Sequence, residues 1–130
     1  QKSRIIFYKT NIIMEWFLKV VKEHYADFNG RARRKEFWMY NLFVMIGYFV
    51  LYIVGIILAS VSTTIGSIVL GLVGLAYLAI LIPSIAVYVR RMHDVGKSGW
   101  FILIPIYNLI LAITEGNKGD NQYGSDPKAQ

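Results

Sequence analysis

The sequence predicts an all-α membrane protein, and three observations carry that reading. Residues 37–89 contain no Asp, Glu, Lys, Arg or His, an uninterrupted run of 53 positions. Inside it lie two hydrophobic stretches, 40–60 and 65–89, parted only by Val61-Ser-Thr-Thr64. A hydrocarbon core of about 30 Å needs about 20 apolar residues of helix, so each stretch is long enough to cross. The bases, finally, crowd at the ends of these stretches. Nine of the 14 precede Phe37 and three more lie between Arg90 and Lys97, as the positive-inside rule requires of cytoplasmic flanks.

Composition narrows the function classes. With 55% hydrophobic residues and a mean hydropathy of +0.45 in 130 residues, the chain has room for one membrane domain and no separate soluble one. The net charge of +6 argues poorly for nucleic acid, because the aromatics fall in apolar runs rather than on a solvated basic surface. The absence of cysteine excludes a disulfide, a thiolate nucleophile and a Cys-ligated metal. No cofactor or metal is expected.

In chain order, residues 1–13 read as an extension, because Met14-Glu15-Trp16 looks like a natural start. No secretory signal is visible in them. Residues 15–28 form an amphipathic helix candidate. Phe17, Leu18, Val20, Val21, His24, Tyr25 and Phe28 share one side, and Glu15, Lys19, Lys22 and Glu23 the other. It is too short to span, and either lies in the interface or packs on the bundle. Asn29-Gly30 would close it as a left-handed cap. His24 has no clustered ligand partner, so a packed histidine is the plainer reading than a metal site.

Arg31-Ala-Arg-Arg-Lys35-Glu36 stands directly before Phe37-Trp38, marking a cytoplasmic membrane boundary. Each base there can add on the order of 1 kcal/mol of attraction to anionic lipid. Glu36, at the hydrocarbon edge, needs a partner. In an antiparallel hairpin with Phe37 and Val89 at one depth, Glu36 meets Arg90 or Arg91, and Asp94 meets Arg90 or an arginine of the first cluster. Gly55 with Ala59, and Ser67 with Gly71, are small-residue pairs suited to close approach near the outer end. Pro83 predicts a kink and a freed carbonyl around Ala79.

The segment Arg90-Arg-Met-His-Asp-Val-Gly-Lys-Ser-Gly-Trp100 is expected to be a cytoplasmic loop over 90–98. Gly96-Lys97-Ser98 resembles the end of a phosphate-binding loop, but Arg91 stands where that loop needs glycine and no strand precedes it. Ser98 reads instead as a helix N-cap. His93 and Asp94 are candidate catalytic residues, a carboxylate-oriented base, although no nucleophile is evident. Residues 99–114, broken by Pro105 and Asn108, form a third span or a re-entrant segment. A third span puts the polar tail, 115–130, outside; re-entry puts it inside beside His93. The modest tail charge suits the outside, which is the expectation. Within the tail, Asp120-Asn-Gln-Tyr-Gly-Ser-Asp126, with Asp120, Asn121, Tyr123 and Gly124 as its motif residues, superficially suggests a calcium loop, but the ligand register and closing Glu are missing, so a structural turn is expected.

Three blocks together resemble the family catalogued as domain of unknown function 805, the YhaH-like small bacterial inner-membrane proteins. They are Phe28-Asn-Gly-Arg-Ala-Arg-Arg-Lys-Glu-Phe-Trp38, the segment from Arg90 to Trp100, and Gly119-Asp-Asn-Gln-Tyr-Gly-Ser-Asp-Pro127. The likeness covers 14–128, with Arg33, Met92, Asn108 and Gln122 departing from commoner residues. It implies a multi-pass protein of the bacterial inner membrane with a cytoplasmic amino end, and brings no activity.

The functional expectation is a non-enzymatic module whose basic cytoplasmic face contacts anionic lipid headgroups or an acidic partner. That face comprises Arg31, Arg33, Arg34, Lys35, Arg90, Arg91 and Lys97, with Glu36 and Asp94 in structural ion pairs. Two alternatives stand beside it. One is a membrane enzyme or ligand-binding protein acting on a phosphorylated or lipid substrate through His93 and Asp94; the other is an accessory subunit of a transporter or channel. A membrane-protein partner or a second copy of the chain is compatible with each.

Overall fold

A computed structural model describes residues 1–128, and residues 6–11 by their helical backbone alone. Four helices follow one another: α1 (Lys2–Leu18), α2 (Arg34–Val61), α3 (Thr63–Asp94) and α4 (Tyr107–Ile113). A π-helical turn, Lys19–Glu23, extends α1, and a 3-10 turn, Gly99–Leu103, precedes α4. No strand occurs among the described residues.

The two apolar stretches form the central hairpin, but its helices outrun the stretches. At 1.5 Å per residue, α2 and α3, of 28 and 32 residues, are about 42 and 48 Å long. Both therefore exceed a hydrocarbon core of about 30 Å. The excess lies at the charged end, where α2 begins at Arg34 and α3 runs on to Asp94. Residues 90–94, expected in a loop, are the last turn of a helix. Nothing in Arg90-Arg-Met-His-Asp breaks a helix. The stop comes at Gly96, whose φ of 77° is left-handed. There Lys97 N–H reaches the Met92 carbonyl at 2.9 Å and Gly96 N–H the His93 carbonyl at 3.0 Å, a Schellman closure.

At the other end a single residue, Ser62, joins the helices. It ends α2 and caps α3, its hydroxyl accepting from Ile65 N–H at 3.4 Å. So short a link pins the crossing close to the turn. A Cβ on Gly66 would lie 2.6 Å from the Ala59 Cβ, so the two backbones touch here. The expected pairing is corrected accordingly. Gly55, where an added Cβ would lie 3.5 Å from Val69 Cγ1, and Ala59 do meet α3, but Gly71 faces open space.

Pro83 lies inside α3, and the carbonyl freed at Ala79 accepts the Tyr25 hydroxyl at 2.6 Å. Tyr40 serves the next turn, pairing with Ser84 Oγ at 2.8 Å and reaching the Ile80 carbonyl at 3.4 Å. Tyr25, from outside α3, thus satisfies the carbonyl that the proline frees, and Tyr40 holds the turn beside it.

The amino-terminal region differs from expectation. Helix α1 starts at Lys2, so residues 2–13 share it with the amphipathic stretch, and the helical turns end at Glu23 rather than near Phe28. Asn29 N–H bonds to Asp27 Oδ1 at 3.1 Å, a local side-chain turn that competes with further helix. Of the two placements considered, packing is seen: Val20 is fully buried, and Phe17 stacks on Tyr40 and Phe43 with centroids 5.7 and 4.3 Å away.

Residues 99–114 turn back on themselves. Pro105 separates the 3-10 turn from α4, and Ile106, with φ of 67°, carries a tight reversal in which Tyr107 N–H bonds to the Pro105 carbonyl at 2.7 Å. Gly99 lies against Val89, while the Ala112 and Thr114 carbonyls both reach Arg91. Both ends of the segment therefore sit at the same end of α3. The expectation that places the tail across the membrane from His93 is corrected: Asn121 Nδ2 donates to the His93 carbonyl at 2.9 Å.

The packed core, with Val20, Ala32, Phe37, Tyr40, Val87, Met92, Leu111 and Ala112, sits at the charged end. Along the rest of the hairpin apolar side chains point outward, Met45, Phe49, Leu75 and Leu78 each more than 60% exposed. A continuous apolar surface of this kind is suited to lipid rather than water. Gly66→Val should lower the thermal unfolding midpoint in detergent by several degrees, since the Ala59 backbone cannot give way. Gly71→Ala, a change into open space, should leave it within a degree or two; equal effects would contradict the crossing.

Candidate functional site: a buried guanidinium cluster

The charged end of the hairpin holds three arginines and two carboxylates that are all buried: Arg31, Arg90, Arg91, Glu36 and Asp94. Their positions follow from the chain. Glu36 lies in the first turn of α2 and Arg90 near the end of α3, and the antiparallel hairpin brings them level. Arg90 Nη1 donates to Glu36 Oε1 at 2.8 Å. Asp94, on the last turn of α3, accepts from Arg31 Nε at 3.0 Å and from Arg91 Nη1. Both ion pairs follow the depth register of a hairpin, and Arg31 is the first-cluster arginine that Asp94 takes.

Arg31 and Arg91 also gather backbone carbonyls from distant segments. Arg31 Nη2 donates to Asn117 O at 2.5 Å, and its Nη1 to Gly119 O at 2.6 Å and Gly124 O at 3.3 Å. Arg91 bonds to Ala32 O at 3.2 Å, Ala112 O at 3.0 Å and Thr114 O. One carboxylate and two guanidiniums thereby join the residues before α2, the end of α3, the end of α4 and the tail. Ala32 N–H closes the ring on the Arg90 carbonyl at 2.9 Å. Gly116 passes so close to Asp94 that a Cβ would overlap its carboxylate, which explains a glycine at that point.

His93 faces elsewhere. Its Nδ1 meets the Gly30 carbonyl at 2.9 Å, and its ring stacks on Tyr123 with centroids 4.0 Å apart and an interplanar angle of 3°. Asp94 gives both carboxylate oxygens to arginines, so it does not orient the imidazole. The base–carboxylate pair considered for catalysis is not assembled. The tail residues do join the site. Asn121 holds the His93 carbonyl, Tyr123 covers the imidazole and Gly124 feeds Arg31. Asp120 Oδ1 accepts Asp126 N–H at 3.4 Å, and Asp126 in turn accepts Gly119 N–H at 2.9 Å, which makes the acidic stretch a closed structural turn. Among the described residues, no group of three His, Asp or Glu side chains is placed to hold a metal.

The remaining bases form a rim. Arg33, Arg34 and Lys97 are half-buried and Lys35 is exposed. The cationic groups of Lys19, Arg33 and Lys35 lie 5.1, 5.9 and 5.8 Å from the Trp16 ring centroid. Lys97 sits 5.7 Å from that of Phe101, and Arg34 reaches the Ile113 carbonyl at 3.2 Å. Beside the rim, His24 Nδ1 pairs with Asp27 Oδ2 at 2.8 Å. Burial alone would raise the Asp27 carboxyl. The His24 and Asn29 N–H bonds, with the nearby charges of His24 and Arg90, outweigh it and hold Asp27 below its ordinary range.

Sequence reasoning missed Lys19 as a rim residue and Asn117, Gly119, Ala112 and Thr114 as partners. The last four act through main-chain carbonyls, which no side-chain pattern announces; Gly116 and Gly119 were the available hint of a sharply turning backbone.

The class so defined is a small helical membrane protein, closed at one end by a buried ion-pair cluster. The family described as protein of unknown function (DUF805) matches residues 25–125, and the chain belongs to it. It is 39% identical over 122 residues to the inner membrane protein YhaI of Escherichia coli strain K12, across 88% of this chain and 97% of that protein. To the inner membrane protein YhaH of the same strain it is 36% identical over 124 residues, across 90% and 99%. No solved structure matches.

Removing one member of a buried pair leaves an uncompensated charge, at a cost of about 3–5 kcal/mol. Asp94→Asn should therefore release the tail, and Gly116→Ala should do the same by displacing Asp94. Limited proteolysis of the purified protein, read at residues 115–128, checks both. A tail as resistant in Asp94→Asn as in the parent would show that the cluster does not hold it.

Proposed function

We propose that the protein is a two-span inner-membrane protein whose charged end faces the cytoplasm and acts as a non-enzymatic docking face for anionic lipid headgroups. The observation that carries the reading is the convergence of Lys19, Arg33 and Lys35 on one indole. None of the three joins an ion pair among the described residues. Three like charges around one ring repel each other, and an anionic headgroup beside the indole would relieve that repulsion while each cation keeps its contact with the ring face. A tryptophan ringed by bases at the end of an apolar helix bundle belongs at the headgroup level.

The lipid-facing set is thus narrower than the seven bases read from sequence: Arg33, Arg34, Lys35 and Lys97 with Lys19 added, while Arg31, Arg90 and Arg91 hold the fold. The positive-inside rule puts this end, and the amino-terminal helix with it, in the cytoplasm; the names of YhaI and YhaH support the inner membrane as the location. Residues 99–114 re-enter from the same side, so the tail is cytoplasmic too.

Two measurements test this reading. With no native cysteine, Thr64→Cys at the hairpin tip should react with an impermeant thiol reagent in intact cells, and Gln122→Cys only after lysis. Labelling of Gln122→Cys from outside would reject the topology. In a Trp38→Phe, Trp100→Phe background, Trp16 fluorescence should be quenched more by brominated phosphatidylglycerol than by brominated phosphatidylcholine. The preference should shrink at high salt and vanish in Arg33→Gln/Lys35→Gln. Equal quenching by the two lipids in the parent would reject the headgroup role.

A further inference from the structure

We propose that a polar cavity behind the rim is a binding site for a single phosphate-type oxyanion, received on the free edge of Arg90. The cavity has a volume of about 250 Å3 and lies between the segment 19–31, the first turn of α2, the end of α3 and the tail, with Lys19, Arg31, Arg90 and Ser125 among its walls. That is room enough for a phosphate group.

Arg90 makes the site specific. Its side chain is 2% exposed and gives only Nη1 to Glu36. Its Nε and Nη2 atoms are buried without a hydrogen-bond partner among the described residues. Those two N–H groups lie along one edge of the planar guanidinium, parallel and about an oxyanion's width apart, the fork that takes two oxygens of a phosphate or carboxylate. A buried arginine with one edge satisfied and the other free, lining a polar cavity, is built to accept an anion.

The charges agree. Three buried guanidiniums, Arg31, Arg90 and Arg91, face two buried carboxylates, Glu36 and Asp94, which leaves one buried positive charge in excess. Lys19 brings a second cation to the cavity wall. Glu36 and Asp27 also line the cavity, but Glu36 holds Arg90 Nη1, and Asp27 holds His24 and Asn29 N–H. With Asp27 counted the excess is one cation, and the two parallel N–H groups of Arg90 suit two oxygens of a phosphate-type oxyanion. Gly124, Ser125 and Pro127 form the tail's share of the wall, so an anion held here lies under the tail and should protect it. The inference shares Lys19 with the rim reading but turns on Arg90, which that reading does not use, and not on Arg33 or Lys35.

The test uses the full chain in a maltoside detergent, free of phosphate, titrated with inorganic phosphate by calorimetry. Tail cleavage is followed in parallel. One saturable site per chain is expected, with slower tail cleavage when it is filled. Arg90→Lys keeps a cation for Glu36 but loses the fork, and should weaken binding about tenfold or more. Should that variant not fold, Lys19→Gln, whose charge lies over Trp16 at the cavity wall, should still weaken it several-fold at an unchanged unfolding midpoint. Arg33→Gln/Lys35→Gln should bind phosphate as the parent does, which separates this site from the rim. A second arm places the protein in nanodiscs of phosphatidylglycerol or phosphatidylcholine. If inorganic phosphate fails to bind but phosphatidylglycerol protects the tail in a manner abolished by Arg90→Lys and kept in Arg33→Gln/Lys35→Gln, the oxyanion is a lipid headgroup. No saturable phosphate binding together with no such lipid protection overturns the proposal, as does binding that neither variant alters.

Discussion

The buried carboxylate of Asp94 is the constraint on which the charged end of the molecule depends. It accepts from Arg31 and Arg91 together, and each of those guanidiniums spends its other N–H groups on main-chain carbonyls far away in sequence. Taking two cations and an anion out of water is costly, and the cost is recovered only when every donor has an acceptor. Arg31 and Arg91 meet that condition by drawing in Ala32, Ala112, Thr114, Asn117, Gly119 and Gly124. The loops and tail are thus ordered by the demands of arginine rather than by a hydrophobic core of their own.

This division of labour suits a membrane protein of this size. Along the hairpin there is no hydrophobic drive to pack, since lipid is as apolar as leucine, and the helices meet closely where Gly66 admits Ala59. At the charged end the surroundings are partly aqueous and burial again has value. There the apolar core of Phe37, Tyr40, Val87 and Met92 lies directly beside the ion pairs. The apolar layer lowers the local dielectric, which strengthens the pairs; the pairs hold the helix ends at one depth, which keeps the apolar layer closed.

What could be read from the sequence follows from what each interaction needs. The Glu36 and Arg90 pair was legible because two long apolar stretches and a short link fix relative depth. The freed Ala79 carbonyl was legible because proline chemistry is local, although its donor, Tyr25, was not. The helical course of residues 2–13 was not, since the mixed order of apolar and polar residues there carries little periodic signal. The course of 99–114 was not either: a largely apolar segment of sixteen residues suits a short span as well as a returning one, and the deciding contacts are main-chain carbonyls. His93 and Asp94 show the opposite failure. Their adjacency suggested a catalytic pair, but successive residues on a helix point about 100° apart, so one turned to Gly30 and the other to the arginines.

The returning course of 99–114 and the burial of Arg91 are one fact seen twice. Were that segment to cross, the Ala112 and Thr114 carbonyls would end about 30 Å away on the far side. Arg91, fully buried, would keep only Asp94 and the Ala32 carbonyl, and Arg31 would lose all three of its tail carbonyls. Pro105 and Ile106 make the return possible by breaking the segment after the 3-10 turn, and α4, seven residues long, is about 10 Å of helix and too short to span. Charge satisfaction at Arg31 and Arg91 therefore goes with the returning course of the chain, which hydropathy alone does not distinguish from an extended one.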